Sequence, residues 1–535
     1  MSKPRICLIN PPLTGTLASQ IEMSMEPLGL AYLAAVLEQN GYEVNILDAL
    51  ALGNEQFEEL PDGRIRIGLT ESQIAKYVEN MNPDIIGISC HFTAYASDSH
   101  RIAKCVKKVC PKAVVVFGGV HASVAPQLVL RDKNVDIVVK GEGELTFLDI
   151  VKCIEKGEKF HNVKGTVVRR EDGTIHINEP RELIKDLDAL PFPARHLLPM
   201  EKYFEFQRKG RVMFRYYMRK PVSPIITSRG CPFNCIFCSV RTLWGRTWRA
   251  RSAENVLEEL KFLVDKYKIK EFAVWDDNIS IDRKRFIQIC QGIVREGLDL
   301  KWSTPNGIYL HSLNEEVLKW MSKSGCYRVI FGIESGSEET RKFIRKNIDF
   351  NRAKKIIETC QKLGIWTSAT FIIGFPDERL ESILSTIKAP KELGVDFASF
   401  YIAQPYPGTE LFEIFDKYGL INDSILESST LFEPKHGTRF FTQKELMELR
   451  DHAYAEFIKY RIMSLLNPSY IKKLIPRINS LEKFVYFLKL GSNLLLGIYP
   501  GRPISLPMRN RILPLIIHKK IKNKERRQKT PKSHR

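Results

Sequence analysis

A chain of 535 residues that is 44% hydrophobic and 27% charged is too long for one core and too apolar to stay unfolded. Its composition excludes a disordered protein and implies two to four globular domains at roughly 150 residues each. The net charge of +19 is not spread over the chain: residues 461–535 hold 18 Lys or Arg against two acids, Glu482 and Glu525, which leaves +3 for the first 460 residues and excludes a body that is basic throughout.

Eleven cysteines behind the start MSKPRICLIN, which lacks the long apolar run of a secretory leader, lead us to expect a reducing cytoplasm. There, clustered thiols serve as metal or redox groups rather than as bridges.

In chain order, RICLIN predicts a strand, PLGLAYLAAVLEQNG a helix closed by Gly41, and EVNILDA a second strand. The helical ESQIAKYVENMN, the strands DIIGISC, AVVVFGG and VDIVVKG, and the helix ELTFLDIVKCIEKG follow. Alternating strand and helix means parallel pairing with helices on both faces, so residues 1–154 read as an α/β domain with an open, doubly wound, Rossmann-like sheet. Ligands of such sheets lie beyond the carboxyl ends of the strands. Here those ends carry INPP, GISCHFT, GGVHAS and KGEGE. A pair such as Gly118 and Gly119 lets a ligand approach the backbone, and equally makes an ordinary turn.

Residues 155–220 read as a linker with prolines at 191, 193 and 199 and a hairpin, GTVVRREDGTIHI, turning at Asp172 and Gly173. A second alternating region, 221–430, contains SPIITS, FAVWDD, KWSTPNG, YRVIFGIES, SATFIIGF and FASFYIAQPYP. Six such βα units make a partial (β/α)6 barrel with its active end at the strand C-termini. Residues 431–535 read as a helical region with a basic tail, and no repeat of domain-building length occurs.

The stretch SRGCPFNCIFCSV places Cys231, Cys235 and Cys238 in a CxxxCxxC spacing directly after the first barrel strand. A closed zinc site takes four ligands, usually as two CxxC pairs, and no second pair is near. Three thiolates on a short loop can hold three irons of a cubane and leave the fourth open. A zinc site borrowing Cys290 or Cys326, or a reactive thiol, stays open as an alternative on these residues alone.

With Phe237 ahead of the last cysteine, this motif resembles that of the radical S-adenosylmethionine (radical SAM) superfamily. The resemblance implies a 4Fe-4S cluster whose open iron takes the amino and carboxylate groups of S-adenosylmethionine. An electron from the cluster then cleaves the sulfonium, and the resulting 5′-deoxyadenosyl radical abstracts hydrogen from an unactivated C–H bond. It further implies that Asp276 and Asp277 in WDDN meet the methionyl amino group, Glu334 and Ser335 in FGIESGS the ribose, and Gly374 in FIIGFP the adenine. Taken singly, a carboxylate that ends a strand is more often a helix cap or solvated.

The first domain is similar to the cobalamin-binding domain that precedes the barrel in a large radical SAM class, on INPP, EPLGLAYLAAVLEQNGYEVNILDA, PDIIGIS, FGGVHAS and VDIVVKGEGELTF; with the barrel, the likeness spans residues 3–415. The DxHxxG segment of other cobalamin proteins is absent after the first strand, and His91 and His121 lie in loops outside that context. The class therefore implies cobalamin bound without a histidine lower ligand, with Ser89, Thr93, Gly118, Gly119, Gly141 and Glu142 as contacts. It includes hopanoid methylases, tetraether-lipid ring synthases and the anaerobic Mg-protoporphyrin ester cyclase, so methylation and ring closure are both expected chemistries. An electron donor such as ferredoxin or flavodoxin is implied too; the same chemistry on a tetrapyrrole or soluble metabolite, or a non-catalytic cobalamin sensor, are the alternatives.

The stretch FVYFLKLGSNLLLGIYPG, interrupted by Lys489 and glycines, is shorter than the ~20 residues that span a bilayer. Between YIKKLIPR and a tail with nine Lys or Arg in its last 17 residues, it reads as a segment lying on an anionic membrane, about 1 kcal/mol per basic residue. Peripheral contact of this kind points to a lipid or isoprenoid substrate. A solvated tail beside a core helix is the alternative, and no nucleic acid is expected because the tail does not interleave aromatics with its basic residues.

Overall fold

The computed structural model describes residues 3–15, 25–209, 217–421 and 434–495, with the short pairs 498–499 and 502–503. In the first domain the strand Ile6–Asn10 pairs in parallel with Val44–Asp48 on one side and Ile85–Ser89 on the other, and Val114–Gly118 and Ile137–Val139 continue the sheet. These strands are near-continuous Val and Ile runs because both faces are covered. Helices Leu28–Gln39 and Glu144–Glu155 bury Leu30, Ala34, Phe147 and Ile150 on one face, while Glu71–Met81 and Ala96–Val109 bury Ile74, Val78, Ile102 and Val106 on the other. Strand order reverses between Ile6–Asn10 and Ile85–Ser89, which opens a crevice at their carboxyl ends.

The hairpin assigned to the linker belongs to this sheet. Thr166–Arg169 pairs antiparallel with Ile137–Val139 and with Ile175–Ile177, so the sheet has seven strands and runs past residue 154 to Ile177. Val167 and Val168 are fully buried, and by pairing they cover an edge that Ile137–Val139 would otherwise expose. Nor are the remaining linker residues a loose tether. Helix Met200–Arg208 sinks Tyr203, Phe204 and Phe206 into the first core, and the Tyr203 hydroxyl donates to Asp48. A small antiparallel sheet of Leu13–Gly15, Phe57–Glu59 and Ile65–Ile67 also lies beside the crevice.

The second domain contains the six expected strands, Val222–Ile225, Glu271–Val274, Lys301–Ile308, Cys326–Glu334, Trp366–Ile373 and Phe397–Ile402, parallel and in sequential order. The two edge strands do not pair with each other, so the barrel is open. Helix Gln443–Leu465 lies along the last strand: Leu446, Leu449, Ala453 and Phe457 enter the barrel core, and the Tyr454 hydroxyl accepts from the Phe400 N–H at 3.0 Å.

The segment expected to lie flat on a surface is, through residue 495, part of a folded helix, Leu481–Leu495, that buries Tyr486 and Leu490 beneath the barrel against Met218, Tyr327 and Trp366. Residues 504–535, most of the basic tail, lie outside the described residues. No helix among the described residues is long and apolar enough to cross a membrane.

Candidate functional site

The cysteine loop leaves strand Val222–Ile225 through a clip in which Ser228–Arg229 pairs with Arg249–Ala250. Gly230 has φ +87°, and a Cβ there would sit 2.1 Å from the Thr247 carbonyl oxygen, so glycine is required. The Gly230 N–H donates to Asp277 at 2.8 Å. Further on, Ile236 is buried with Ile344, Phe375, Leu411 and Phe415, its carbonyl accepting the Leu411 N–H at 2.9 Å. Phe237 packs 6.4 Å from Phe375, so this aromatic wedges the loop against the barrel top.

The three thiols are partly exposed; burial pushes all three up, Cys238 to about 12, with the charges of Cys235 and Cys231 adding to the rise at Cys238. Lys346, which donates to Glu334 at 2.7 Å, brings a positive charge to Cys235 and Cys238 and so favours their thiolates. A zinc site with a borrowed thiol loses its donors: Cys326 opens its strand at the far end of the barrel, and Cys290 is buried in the core behind the sheet. The donor set is three thiols within eight residues of one loop, a spacing that fits three corners of a cubane.

Around this loop the residues expected to meet S-adenosylmethionine divide. Asp276 is spent on structure: it accepts from the Thr227 N–H and hydroxyl, both at 2.6 Å, and from the Ser228 hydroxyl at 2.5 Å. Asp277 keeps one oxygen on Gly230 and lines the main cavity. Glu334 follows a bulge at the end of its strand with φ +67°, a conformation a non-glycine residue adopts only when its surroundings hold it there. The Thr370 hydroxyl donates to it at 3.1 Å. Ser335 is fully buried with its hydroxyl on Thr386 at 2.9 Å. Gly374 donates its N–H to Glu378 at 2.7 Å and packs against Leu446.

A cavity of about 1020 Å³ joins the crevice of the first domain to the barrel lumen. Ser89, Thr93, Gly118, Gly119, Gly141 and Glu142 all line it, as do Asp277 and Ser239, the residue after Cys238. A Cβ built on Gly118 meets nothing within 4 Å, and one on Gly141 comes no closer than 3.9 Å to any atom, so here the backbone borders open space and a planar ligand can approach it. Gly119 is a turn residue: at φ +108° its Cβ would lie 2.8 Å from the Cys90 carbonyl oxygen. The Thr93 hydroxyl is shared with His121 at 2.9 Å, and His91 stands in the cavity wall with its side chain exposed to that space, where its depth in the molecule brings its pKa down to about 4 and keeps it neutral.

Glu142 differs from the other five. Its carboxylate accepts from Arg229 at 2.8 Å, Arg249 at 2.9 Å and the Ile184 N–H at 2.7 Å, while Arg229 also reaches Glu144 at 2.6 Å. This acid therefore clamps the first domain to the cysteine-loop clip. Sequence reading did not foresee the clamp, although its signal is present: the acidic KGEGE after one strand and the basic RTWRAR beyond the cysteines carry opposite charge.

Two family models match the chain: the B12 binding domain over residues 15–151 and the Radical SAM superfamily over residues 225–389. An uncharacterized methyltransferase of Pyrococcus horikoshii is 37% identical over 462 residues, which cover 85% of this chain and 93% of that protein. The chain belongs to the cobalamin-dependent radical SAM enzymes. Also within reach are cytidylyl-2-hydroxyethylphosphonate methyltransferase of Streptomyces wedmorensis, 35% identical over 78% of this chain and 83% of its own; anaerobic magnesium-protoporphyrin IX monomethyl ester cyclase of Rubrivivax gelatinosus, 28% over 75% and 70%; and hopanoid C-3 methylase of Methylococcus capsulatus, 27% over 73% and 69%. The solved structure of the cobalamin-dependent S-adenosylmethionine radical enzyme OxsB shares the fold, with a TM-score of 0.66 at 18% identity over 98% of this chain and 75% of that one. The cofactors of this radical SAM enzyme are a 4Fe-4S cluster, S-adenosylmethionine and cobalamin, and the reading as an inert cobalamin sensor falls away.

Proposed function

We propose that this enzyme methylates an unactivated carbon of a membrane lipid or isoprenoid, working at the cytoplasmic face of the membrane with electrons from a ferredoxin or flavodoxin. The observation that carries the proposal is the shared cavity: residues of the cobalamin-side crevice, the barrel lumen and the neighbours of the cysteine loop border one space. When bound, the cluster with S-adenosylmethionine supplies a hydrogen-abstracting radical, and cobalamin supplies the methyl group.

In this reading Cys231, Cys235 and Cys238 hold the cluster, with Phe237 bracing their loop. Asp277 takes the methionyl amino group, Glu334 the ribose, and the backbone at Gly374 the adenine; Asp276 and Ser335 position their neighbours. Gly118 and Gly141 offer the bare backbone against which cobalamin rests, beside Ser89 and Thr93, while Gly119 and Glu142 shape that wall. Methyl transfer is preferred to ring closure because two relatives above 30% identity are described as methyltransferases. The lipid reading draws on the apolar side chains that line the cavity, among them Leu33, Phe92, Phe147, Ile330 and Leu490.

One observation favours a second substrate class. Arg328 lines the floor of the same cavity and brings a buried positive charge there, beside Tyr217, which suits an acidic metabolite of the kind named for the phosphonate relative. Lipid extracts and polar metabolites from cells with and without the protein, compared by mass spectrometry, decide between them. A lipid that gains one methyl group supports the proposal. A change confined to polar acids supports the second reading, and a product that has lost two hydrogens without gaining carbon overturns methyl transfer.

A further inference from the structure

Ten of the 18 large apolar side chains exposed among the described residues fall between Ile462 and Leu488. That concentration is far above chance for so short a segment. Leu481 is 78% exposed, Leu466 71% and Ile475 59%. The segment comprises the end of helix Gln443–Leu465, helix Pro468–Leu474, the turn Ile475–Ile478 and the start of helix Leu481–Leu495, which pack consecutively. Within the last helix the spacing is instructive. Leu481, Phe484, Val485 and Leu488 recur at i, i+3, i+4 and i+7 and share the outer face, whereas Tyr486 and Leu490 face inward beneath the barrel. The helix is thus apolar on two opposite sides, and the described residues cover only one of them.

Charge decides what suits the other. The exposed Lys472, Lys473 and Lys489 and the partly exposed Lys483 accompany this face. Between Ile462 and Leu495 the one acid is Glu482, and its carboxylate is held by Arg219. Residues 504–535, which follow this helix, carry 11 Lys or Arg against one acid, Glu525. We infer that this face is a docking surface for a bilayer containing anionic lipid. Its apolar side chains enter the headgroup and acyl boundary, and its lysines meet the lipid charge. A second copy of the chain is disfavoured because two such faces would bring like charge together. Docking would place the lipid one helix away from the catalytic cavity, since Leu490, on the inner side of the same helix, lines the cavity floor. The inference is argued from exposure and charge alone and does not rest on the chemistry proposed above.

The test is flotation of the full-length protein with phosphatidylcholine vesicles, with and without phosphatidylglycerol, for wild type and for the triple variant Leu481→Ser, Phe484→Ser, Leu488→Ser, whose changed side chains face outward. Wild type is expected to float with the anionic vesicles, and the variant to need at least about tenfold more lipid for half-binding. A separate Leu488→Trp variant, should the triple one fold poorly, is expected to shift its emission to the blue on adding the same vesicles. The inference is overturned if wild type stays unbound, if the triple variant floats equally well, if the emission of the Leu488→Trp variant does not move, or if sedimentation shows a wild-type dimer that the triple variant dissolves without any vesicle binding. Formation of 5′-deoxyadenosine, measured in parallel, separates the two proposals: a wild-type protein that cleaves S-adenosylmethionine yet stays unbound condemns the docking surface alone.

Discussion

At the scale of single residues, the cysteine loop and the glycines of the crevice make sharp predictions. Changing any of Cys231, Cys235 or Cys238 to Ala is expected to lower iron content from about four per chain and abolish formation of 5′-deoxyadenosine, checked by iron assay and chromatography of anoxically prepared protein. Gly118→Leu places a side chain into open space, so stability is expected to change by no more than about 0.5 kcal/mol while cobalamin content falls, read from the absorbance of reconstituted protein. Gly119→Ala is expected to behave in the opposite sense. At φ +108° the substitution strains the backbone and costs about 1–3 kcal/mol in denaturant titration.

Glu271 adds a pH prediction. Burial pushes its carboxyl up to about 7, although it accepts from the Arg219 N–H and the Tyr327 hydroxyl. Above the ordinary carboxylate pKa the unfolded chain gives up this proton while the folded chain keeps it, so stability is lost as pH rises towards 7 and levels off above it. The change amounts to about 3 kcal/mol, and Glu271→Gln is expected to flatten the profile and raise the thermal midpoint at pH 8.

At the scale of elements, the domains are joined by buried charge as well as by packing. Arg195, 1% exposed, donates to Glu26 at 2.8 Å, to Glu259 at 2.7 Å and to the Pro224 carbonyl at 2.8 Å, linking the first domain, the linker and the barrel. Arg195→Met would leave two buried carboxylates without their shared partner, a loss of about 3–5 kcal/mol. Calorimetry is expected to show the first domain melting ahead of the barrel in this variant. Individual strands were legible where burial on both faces demanded a Val and Ile run, as in Ile85–Ser89, and the six barrel strands were legible as short apolar stretches between helical segments. Helix Ala96–Val109 escaped notice because its SDSH start and scattered lysines mask the buried Ile102 and Val106. The strands Leu13–Gly15, Phe57–Glu59 and Ile65–Ile67 are too short to show alternation, and only their pairing holds them.

At the scale of the whole molecule, the cavity is the feature that unites two separately readable domains. Ile330→Trp would fill the lumen without touching the cysteine loop. This variant is expected to keep forming 5′-deoxyadenosine while yielding little methylated product, and the ratio of the two by chromatography checks it.

By itself the amino-acid sequence determined the two α/β domains, the three-thiol loop and all six residues that prove to line the crevice, because spacing along the chain and strand-end position are local properties. Only the tertiary structure decided which of those residues remain available to a ligand. Asp276 and Glu142 read no differently from Asp277 in the sequence, yet the first is consumed by Thr227 and Ser228 and the second by two arginines from the other domain. Hydrogen-bond and ion-pair partners are set by packing between segments far apart in the chain, 107 residues for Arg249 and Glu142, and one-dimensional spacing carries no record of them.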